Sequence, residues 1–154
     1  MVSTEEKTES IEILLVEDDY GDIVLIQEAF KEHKIRNNLW VVRDGVEAME
    51  FLRKEGDYAN SPRPDLVLLD LNLPKKSGFE VLDEIKKDMN IKTIPVIILT
   101  NSRNKEDILT TYLKQASCFI TKPVDFNQFM NIIYSINYFW LEVAKLPQYQ
   151  NKIN

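Results

Sequence analysis

Residues 65–74 read DLVLLDLNLP, and this stretch gives the strongest indication of the fold. Its first five residues form a short apolar run, of the kind that becomes a strand covered on both faces in a parallel sheet. A carboxylate, Asp70, follows the run directly, and Asn72 lies two positions further on. In α/β sheets, functional groups collect just past the carboxyl ends of the strands, so this stretch predicts both a strand and a site.

Four further apolar runs have the same character, and patterns typical of amphipathic helices separate them. The strict alternation predicts an α/β fold, a doubly wound five-stranded parallel sheet flanked by five helices with right-handed crossovers. The runs are 11–16, 39–42, 95–99 and 118–121. The helical stripes are Ile23, Ile26, Ala29 and Phe30; Ala48, Met49 and Leu52; Phe79, Leu82 and Ile85; Ile108, Leu109 and Tyr112; and Phe129, Ile132, Ile133, Ile136 and Trp140.

Length and composition indicate one folded domain. The chain has 154 residues, of which 44% are hydrophobic and 29% charged, as in ordinary globular proteins. We expect a flexible N-terminal tail at 1–10, a domain at 11–145 and a C-terminal tail at 146–154. The chain ends soon after the last helical pattern, so we expect no DNA-binding or catalytic output domain.

Charge and cysteine content narrow the classes of function. The net charge of −6 argues against nucleic acid as the main partner, because phosphate backbones attract basic surfaces. The single cysteine, Cys118, allows no intrachain disulfide and suits a reducing compartment; we read it as a buried small residue. We find neither a signal peptide nor an apolar stretch long enough to span a bilayer, so we expect a cytoplasmic protein with no membrane association.

Polar side chains follow four of the five predicted strands, and the predicted topology brings them to one edge of the sheet. Carboxylates that converge on one point repel each other, and a hard divalent cation bound by oxygen ligands, Mg²⁺ above all, relieves the repulsion. A carboxylate beside such a metal can act as a nucleophile toward phosphorus. A lysine can neutralise phosphate oxygens, and a hydroxyl can donate a hydrogen bond to them. The side chains are Glu17, Asp18 and Asp19; Asp70 and Asn72; Thr100 and Asn101; and Lys122, followed by Pro123.

Glu17-Asp18, Asp70, Thr100 and Lys122-Pro123, in this order and each after its own strand, resemble the receiver domain of two-component response regulators. The likeness covers roughly residues 11–145 and implies a flavodoxin-like sheet with strand order 2-1-3-4-5. It implies that Asp70 is the phosphoacceptor and that Mg²⁺, for which Mn²⁺ can substitute, is the cofactor. The implied metal ligands are Asp18, Asp70, the backbone carbonyl of Asn72 and, through water, Glu17. The implied phosphoryl-binding and switch residues are Thr100, Lys122, Phe119 and Asn101, with a cis peptide at Pro123.

Several positions depart from the commonest family pattern. The acidic pair is Glu-Asp instead of Asp-Asp, and Phe119 lacks the hydroxyl of the tyrosine often found at the switch position. Asn101 is bulkier than the small residue usual there, which would slow the access of water to the phosphoryl group. Gln115 stands where a glycine frequently ends the fourth helix.

A narrower likeness points to partners. The stretches DLNLPKKSG from Asp70, LTNSR from Leu99 and YFWLE from Tyr138 resemble the small stand-alone regulators paired with phytochrome-type histidine kinases. The expected partners are therefore a sensor histidine kinase and a histidine phosphotransfer protein.

The last helical pattern predicts a further interface. From 126 to 141 no side chain is charged, and Met130, Tyr134, Tyr138 and Leu141 lie off the core stripe. We expect a homodimer through the fourth helix, fifth strand and last helix, unless the tail from Pro147 covers this surface.

Other interpretations of the same residues stay open. Each acidic residue taken alone fits a turn or helix cap, and Lys122 alone fits a surface lysine. A small aspartyl-phosphate hydrolase would use a similar strand-end aspartate, but such enzymes usually have a second aspartate where this chain has Asn72, which does no acid–base work. A phosphorylation-independent scaffold is the third alternative. His33, the single histidine, is interpreted as a solvated side chain.

Overall fold

The computed structural model describes residues 10–147. Most of the predicted N-terminal tail and nearly all of the predicted C-terminal tail lie outside the described residues, and so does the proposed covering of the last helix by the tail. Among residues 10–147, no helix is both long and apolar enough to cross a membrane.

Five parallel strands form one sheet in the order β2-β1-β3-β4-β5, as predicted. The strands are β1 (Ile11–Val16), β2 (Asn37–Val42), β3 (Leu66–Leu69), β4 (Val96–Thr100) and β5 (Cys118–Thr121). The helices are α1 (Tyr20–Lys31), α2 (Gly45–Arg53), α3 (Gly78–Lys87), α4 (Lys105–Leu113) and α5 (Phe126–Asn137). A 3₁₀ turn (Gly56–Tyr58) lies in the loop after α2, and a π-helical segment (Tyr138–Val143) continues α5.

Each α-helix begins at a side chain that accepts a hydrogen bond from a backbone amide of its first turn, which satisfies a donor that would otherwise lack a partner. At α3 the cap is a capping box between Ser77 and Glu80. The predicted cap of the last helix, Asp125, is confirmed. The other caps are Asp19, Asp44 and Asn104.

The core has two layers, one on each face of the sheet. Side chains alternate between the faces along each strand, so β1 sends Leu14 and Val16 toward α2 and α3 but Ile13 and Leu15 toward α1 and α5. Every residue of β3 and β4 is buried, as expected for central strands covered on both faces. The edge strand β2 alternates between exposed and partly buried residues over most of its length.

Helix α4 packs less deeply than its sequence pattern suggests. Its buried residue is Thr111, whereas Leu109 and Tyr112 of the predicted stripe are exposed. The helix ends at Leu113 in a Schellman motif, in which Ala116 N–H donates to the Thr111 carbonyl at 3.0 Å and Gln115 N–H donates to the Tyr112 carbonyl at 2.9 Å. Gln115 therefore takes the left-handed conformation, with φ of 75°, that a glycine would adopt at lower cost.

The π-helical segment corrects one prediction about the last helix. Leu141 was expected on an outer face, but it is buried against the core, while Tyr134 and Tyr138 are exposed. A π turn contains more residues than an α turn, so it rotates the following side chains around the axis. Its i→i+5 hydrogen bond runs from Ala144 N–H to the Phe139 carbonyl at 2.7 Å. Met130, also expected outside, packs partly buried against the same core.

His33 corrects a second prediction, because its side chain is mostly buried instead of solvated. Its Nε2 atom lies 3.1 Å from a carboxylate oxygen of Glu142, and its Nδ1 atom accepts a hydrogen bond from the Ile35 amide. The contact joins the end of α1 to the π-helical segment, two regions far apart in the sequence. Helical periodicity of either segment alone does not show this pairing.

Candidate metal and phosphoryl site

Three carboxylates meet at the carboxyl edge of the sheet. Carboxylate oxygens of Glu17, Asp18 and Asp70 all lie within 4.8 Å of one another. They meet because β1 and β3 are neighbouring parallel strands whose last residues, Val16 and Leu69, are in register. Clustered carboxylate oxygens are the ligand set of a hard divalent cation, so this arrangement fits a metal ion such as Mg²⁺ or Mn²⁺.

Asp70 is nearly buried at the end of β3, and the start of the following loop fixes its carboxylate. Oδ1 accepts a hydrogen bond from the Leu71 amide at 2.7 Å and a longer one from the Asn72 amide at 3.4 Å. Oδ2 faces the ammonium group of Lys122 at 3.5 Å. One carboxylate oxygen is thus held by the backbone, while the other points to the single lysine of the site.

A glycine at the start of α3 permits the close packing of this loop. A Cβ atom at Gly78 would lie 2.2 Å from the Asp70 carbonyl oxygen, closer than real Cβ contacts, and the Gly78 amide donates to the Leu71 carbonyl. Any larger residue would force the loop away from the helix. The loop that carries Asn72 therefore depends on Gly78 for its position.

Lys122 is almost completely buried, and its ammonium group contacts three carboxylates. The Nζ atom lies 2.7 Å from Glu17 Oε1, 2.8 Å from Asp22 Oδ2 and 3.5 Å from Asp70 Oδ2. Asp22 is not among the site residues predicted from the sequence, because it lies inside the first turn of α1 and not directly after a strand. A signal was nonetheless present: Asp22 is one helical turn beyond the acidic run that ends at Asp19.

The surplus of carboxylates changes the protonation equilibria of the site. Burial is the largest effect on Glu17 and, with the charge of Asp70, raises its pKa to about 7, although the hydrogen bond from Lys122 opposes this shift. Burial by itself lowers the pKa of Lys122, but its hydrogen bonds to Asp22 and Glu17 outweigh burial, and the pKa is raised. Lys122 is therefore charged at neutral pH, and Glu17 titrates near neutrality without a metal ion.

The remaining predicted residues lie at the ends of β4 and β5. Thr100 is fully buried, and its backbone carbonyl accepts a hydrogen bond from the Lys122 amide at 2.7 Å, which brings these two predicted residues together. Asn101 is exposed at the rim. Phe119 is partly buried against the α2–α3 layer, and its amide donates to the hydroxyl of Tyr112 in α4 at 3.1 Å.

One predicted feature of the site is wrong. The peptide bond between Lys122 and Pro123 is trans, since residues 10–147 contain no cis peptide bond. Trans is the lower-energy form of most X–Pro bonds, so proline at this position does not by itself require the cis form.

Arg43 is a second contributor that sequence analysis missed. It follows β2, and its Nη2 atom donates to the backbone carbonyl of Asp18 at 2.9 Å. This contact ties the loop after β1 to the loop after β2. An arginine directly after a predicted strand was a visible signal, but its partner is a backbone atom that no residue pattern specifies.

A search for known families identifies the response regulator receiver domain over residues 13–134. That match covers most of the chain, and the fold and the acidic edge with its buried lysine agree with it. The chain belongs to the response regulator receiver family and is a two-component response regulator, a signalling protein.

Individual relatives are close enough to compare over nearly the whole chain. Response regulator Rcp1 of Synechocystis sp. is 47% identical over 135 residues, which cover 88% of this chain and 92% of Rcp1. The crystal structure of the Mn²⁺-bound form of Rcp1 superposes with a TM-score of 0.88, at 46% identity, over 90% of this chain and 99% of that one. The phosphorylated cyanobacterial phytochrome response regulator RcpA gives a TM-score of 0.89 at 50% identity, over 91% of this chain and 100% of that one. The predicted likeness to stand-alone regulators of phytochrome-type kinases is confirmed.

Proposed function

We propose that this chain accepts a phosphoryl group on Asp70 from a sensor histidine kinase, in a reaction that requires Mg²⁺. The observation that carries the proposal is the position of Asp70. Its carboxylate lies between an acidic cluster suited to a divalent cation and the buried ammonium group of Lys122. Phosphoryl transfer needs mainly positioning and charge neutralisation, and this arrangement supplies both.

In the proposed transfer, a carboxylate oxygen of Asp70 forms a bond to phosphorus while the P–N bond of the kinase phosphohistidine breaks. The electron pair of that bond returns to the imidazole nitrogen. Lys122 neutralises one phosphoryl oxygen, and the Thr100 hydroxyl donates to another. Asp18, Asp70, the Asn72 carbonyl and, through water, Glu17 would hold the Mg²⁺, which supplies further charge neutralisation. The Mn²⁺-bound Rcp1 structure supports a divalent ion and substitution by Mn²⁺.

The proposed output is a change in protein contacts, or onward transfer of the phosphoryl group to a histidine phosphotransfer protein. The chemistry of the domain itself would be limited to self-phosphorylation from small donors and self-dephosphorylation. Thr100 and Phe119 would rearrange, and the contact between the Phe119 amide and the Tyr112 hydroxyl supports transmission of that change to α4. A phytochrome-type kinase is the proposed donor, because the similar RcpA is a phytochrome response regulator.

We also propose a homodimer through α4, β5 and α5 with its π-helical extension. The support is an apolar groove beside β5 and large exposed apolar side chains next to it. Leu109 and Leu113 are exposed on α4, and Phe139 is half exposed on the π-helical segment. The groove is lined by Ser117, Cys118, Ile120, Ile132, Ser135, Ile136, Phe139 and Trp140.

The test is intact-protein mass after incubation with Mg²⁺ and acetyl phosphate, and separately with a phosphorylated phytochrome-type histidine kinase. We expect a gain of one phosphoryl group that is lost in Asp70→Asn and in the presence of a chelator. Asp57→Asn is the matched control, because it makes the same change at an exposed position. A folded wild-type protein that gains no mass from either donor would contradict the proposal and favour a phosphorylation-independent scaffold.

A further inference from the structure

Asp22 forms one of the two short contacts of Lys122, yet it does not belong to the metal cluster. Its Oδ2 atom lies 2.8 Å from Lys122 Nζ, whereas Oδ2 of Asp70, the proposed phosphoacceptor, lies at 3.5 Å. The group of carboxylates that meets the geometry of a metal site consists of Glu17, Asp18 and Asp70, without Asp22. The first turn of α1 fixes Asp22, since its amide donates to the capping side chain of Asp19 at 2.9 Å.

The two short contacts of Lys122 differ in what a metal ion would do to them. Glu17 belongs to the metal cluster, so a bound cation would compete with Lys122 for its carboxylate. Asp22 has no such competitor among the described contacts, and its side chain is about one quarter exposed at the rim. Of the three carboxylates that contact Lys122, Asp22 is therefore the one for which a bound metal ion would not compete.

We propose that Asp22 is a positioning residue that holds the Lys122 ammonium group away from the phosphoryl position and so lowers the affinity of the site for a phosphoryl group. This inference rests on the proposed phosphorylation of Asp70. A phosphoryl oxygen gains the full contact with Lys122 only when the ammonium group moves from Asp22. The free energy needed to break the contact with Asp22 reduces the net binding free energy of the phosphoryl group. The carboxylate of Asp22 and the phosphoryl group thus compete for the ammonium group of Lys122.

The experiment measures the affinity of the full-length protein for fluoroberyllate, a phosphoryl mimic, at saturating Mg²⁺ by ¹⁹F NMR titration. We expect Asp22→Asn to bind fluoroberyllate roughly five- to tenfold more tightly than wild type, the net size of one ordinary hydrogen bond, since asparagine keeps an oxygen acceptor and loses only the charge. Asp22→Glu, which keeps the carboxylate, should restore weaker binding. Glu28→Gln removes one exposed charge from the same helix and should change the affinity less than about twofold.

A second pair of variants separates action through Lys122 from a general charge effect. In a Lys122→Gln background, Asp22→Asn should no longer change the affinity, because the group for which the two anions compete is absent. An equal gain with and without Lys122 would overturn the proposal, and so would unchanged or weaker binding by Asp22→Asn. If either of these results is obtained while the wild-type protein binds fluoroberyllate, the proposal about Asp22 fails but the proposed function stands. If neither wild type nor Asp22→Asn binds it, both proposals fail.

Discussion

The crowding of carboxylates makes the charge state of one residue, Glu17, sensitive to protons and to cations. It is almost fully buried, it contacts Lys122 at 2.7 Å, and one of its oxygens also accepts a hydrogen bond from the Asp19 amide. The single positive charge of Lys122 cannot neutralise the negative charges of Glu17, Asp22 and Asp70 together. The remaining charge is relieved by a proton on Glu17 or by a divalent cation.

At this scale we predict that the metal-free protein loses stability as the pH rises from about 4.5 to about 7. Between the unfolded pKa of 4.5 and the folded pKa of about 7, Glu17 binds a proton in the folded state that it lacks in the unfolded state. Its contribution to the free energy of unfolding therefore falls over this range, by on the order of 1–3 kcal/mol. Denaturant unfolding at several pH values, in the presence of a chelator, measures this slope.

The variant Glu17→Gln tests whether Glu17 causes this loss of stability. It should remove the decrease between pH 4.5 and 7 relative to wild type, whereas Glu28→Gln at the surface of α1 should leave the decrease in place. Addition of Mg²⁺ should also reduce the decrease, because the cation takes over the role of the proton. The same slope in wild type and Glu17→Gln would show that another group is responsible.

At the scale of elements, the C-terminal ends of α2 and α4 decide how the chain turns back toward β3 and β5, at the edge of the sheet opposite to the site. Lys54, directly after α2, takes the left-handed conformation, and so does Gln115, two residues after the end of α4. Both ends show the hydrogen bonds of a Schellman motif, yet neither residue is the glycine that this motif favours. A side chain with a Cβ atom raises the conformational energy of the backbone slightly at both positions.

We predict that Gln115→Gly stabilises the protein by roughly 0.5–1 kcal/mol, because glycine reaches positive φ without the steric cost of a Cβ atom. Chemical denaturation measures the difference in the free energy of unfolding. The matched control is Gln27→Gly, the same change at an exposed position inside α1, which should destabilise by roughly 0.5–1 kcal/mol. A loss of stability in Gln115→Gly would contradict the assigned helix end.

At the scale of the whole molecule, the surface is divided between a polar edge and an apolar side. The carboxyl edge of the sheet carries the acidic cluster and Lys122. The side formed by α4, β5 and the end of α5 carries the groove and the exposed apolar residues of the proposed dimer. Within that side, Phe119 of β5 lies three residues before Lys122, and its amide donates a hydrogen bond to the Tyr112 hydroxyl of α4.

We predict that Leu113→Glu weakens self-association at least tenfold, because it places a charge on the exposed apolar face of α4 that the proposed dimer would bury. Sedimentation velocity over a range of concentrations, with and without Mg²⁺ and fluoroberyllate, measures the change. Met89→Glu is the control, since Met89 is about as exposed as Leu113 but lies two residues after the end of α3. A wild-type protein that stays monomeric at high concentration in both conditions would rule out the dimer.

The sequence alone was sufficient for the features that local chemistry controls. Continuous apolar runs predicted β1, β3 and β4, because strands buried on both faces leave no place for polar side chains. The residues directly after those strands identified Glu17, Asp18 and Asp70, because parallel strands end at one edge. The cap at Asp125 followed from the same local reasoning.

Tertiary structure alone decided the features that depend on packing between distant segments. Asp22 and Arg43 reach the site from a helix turn and a neighbouring loop, and nothing in their local sequence specifies Lys122 or the Asp18 carbonyl as partners. Leu141 enters the core because a π turn changes the phase of its helix. Short-range periodicity describes which faces are apolar, whereas the distances between side chains on different elements are set by how those faces pack together.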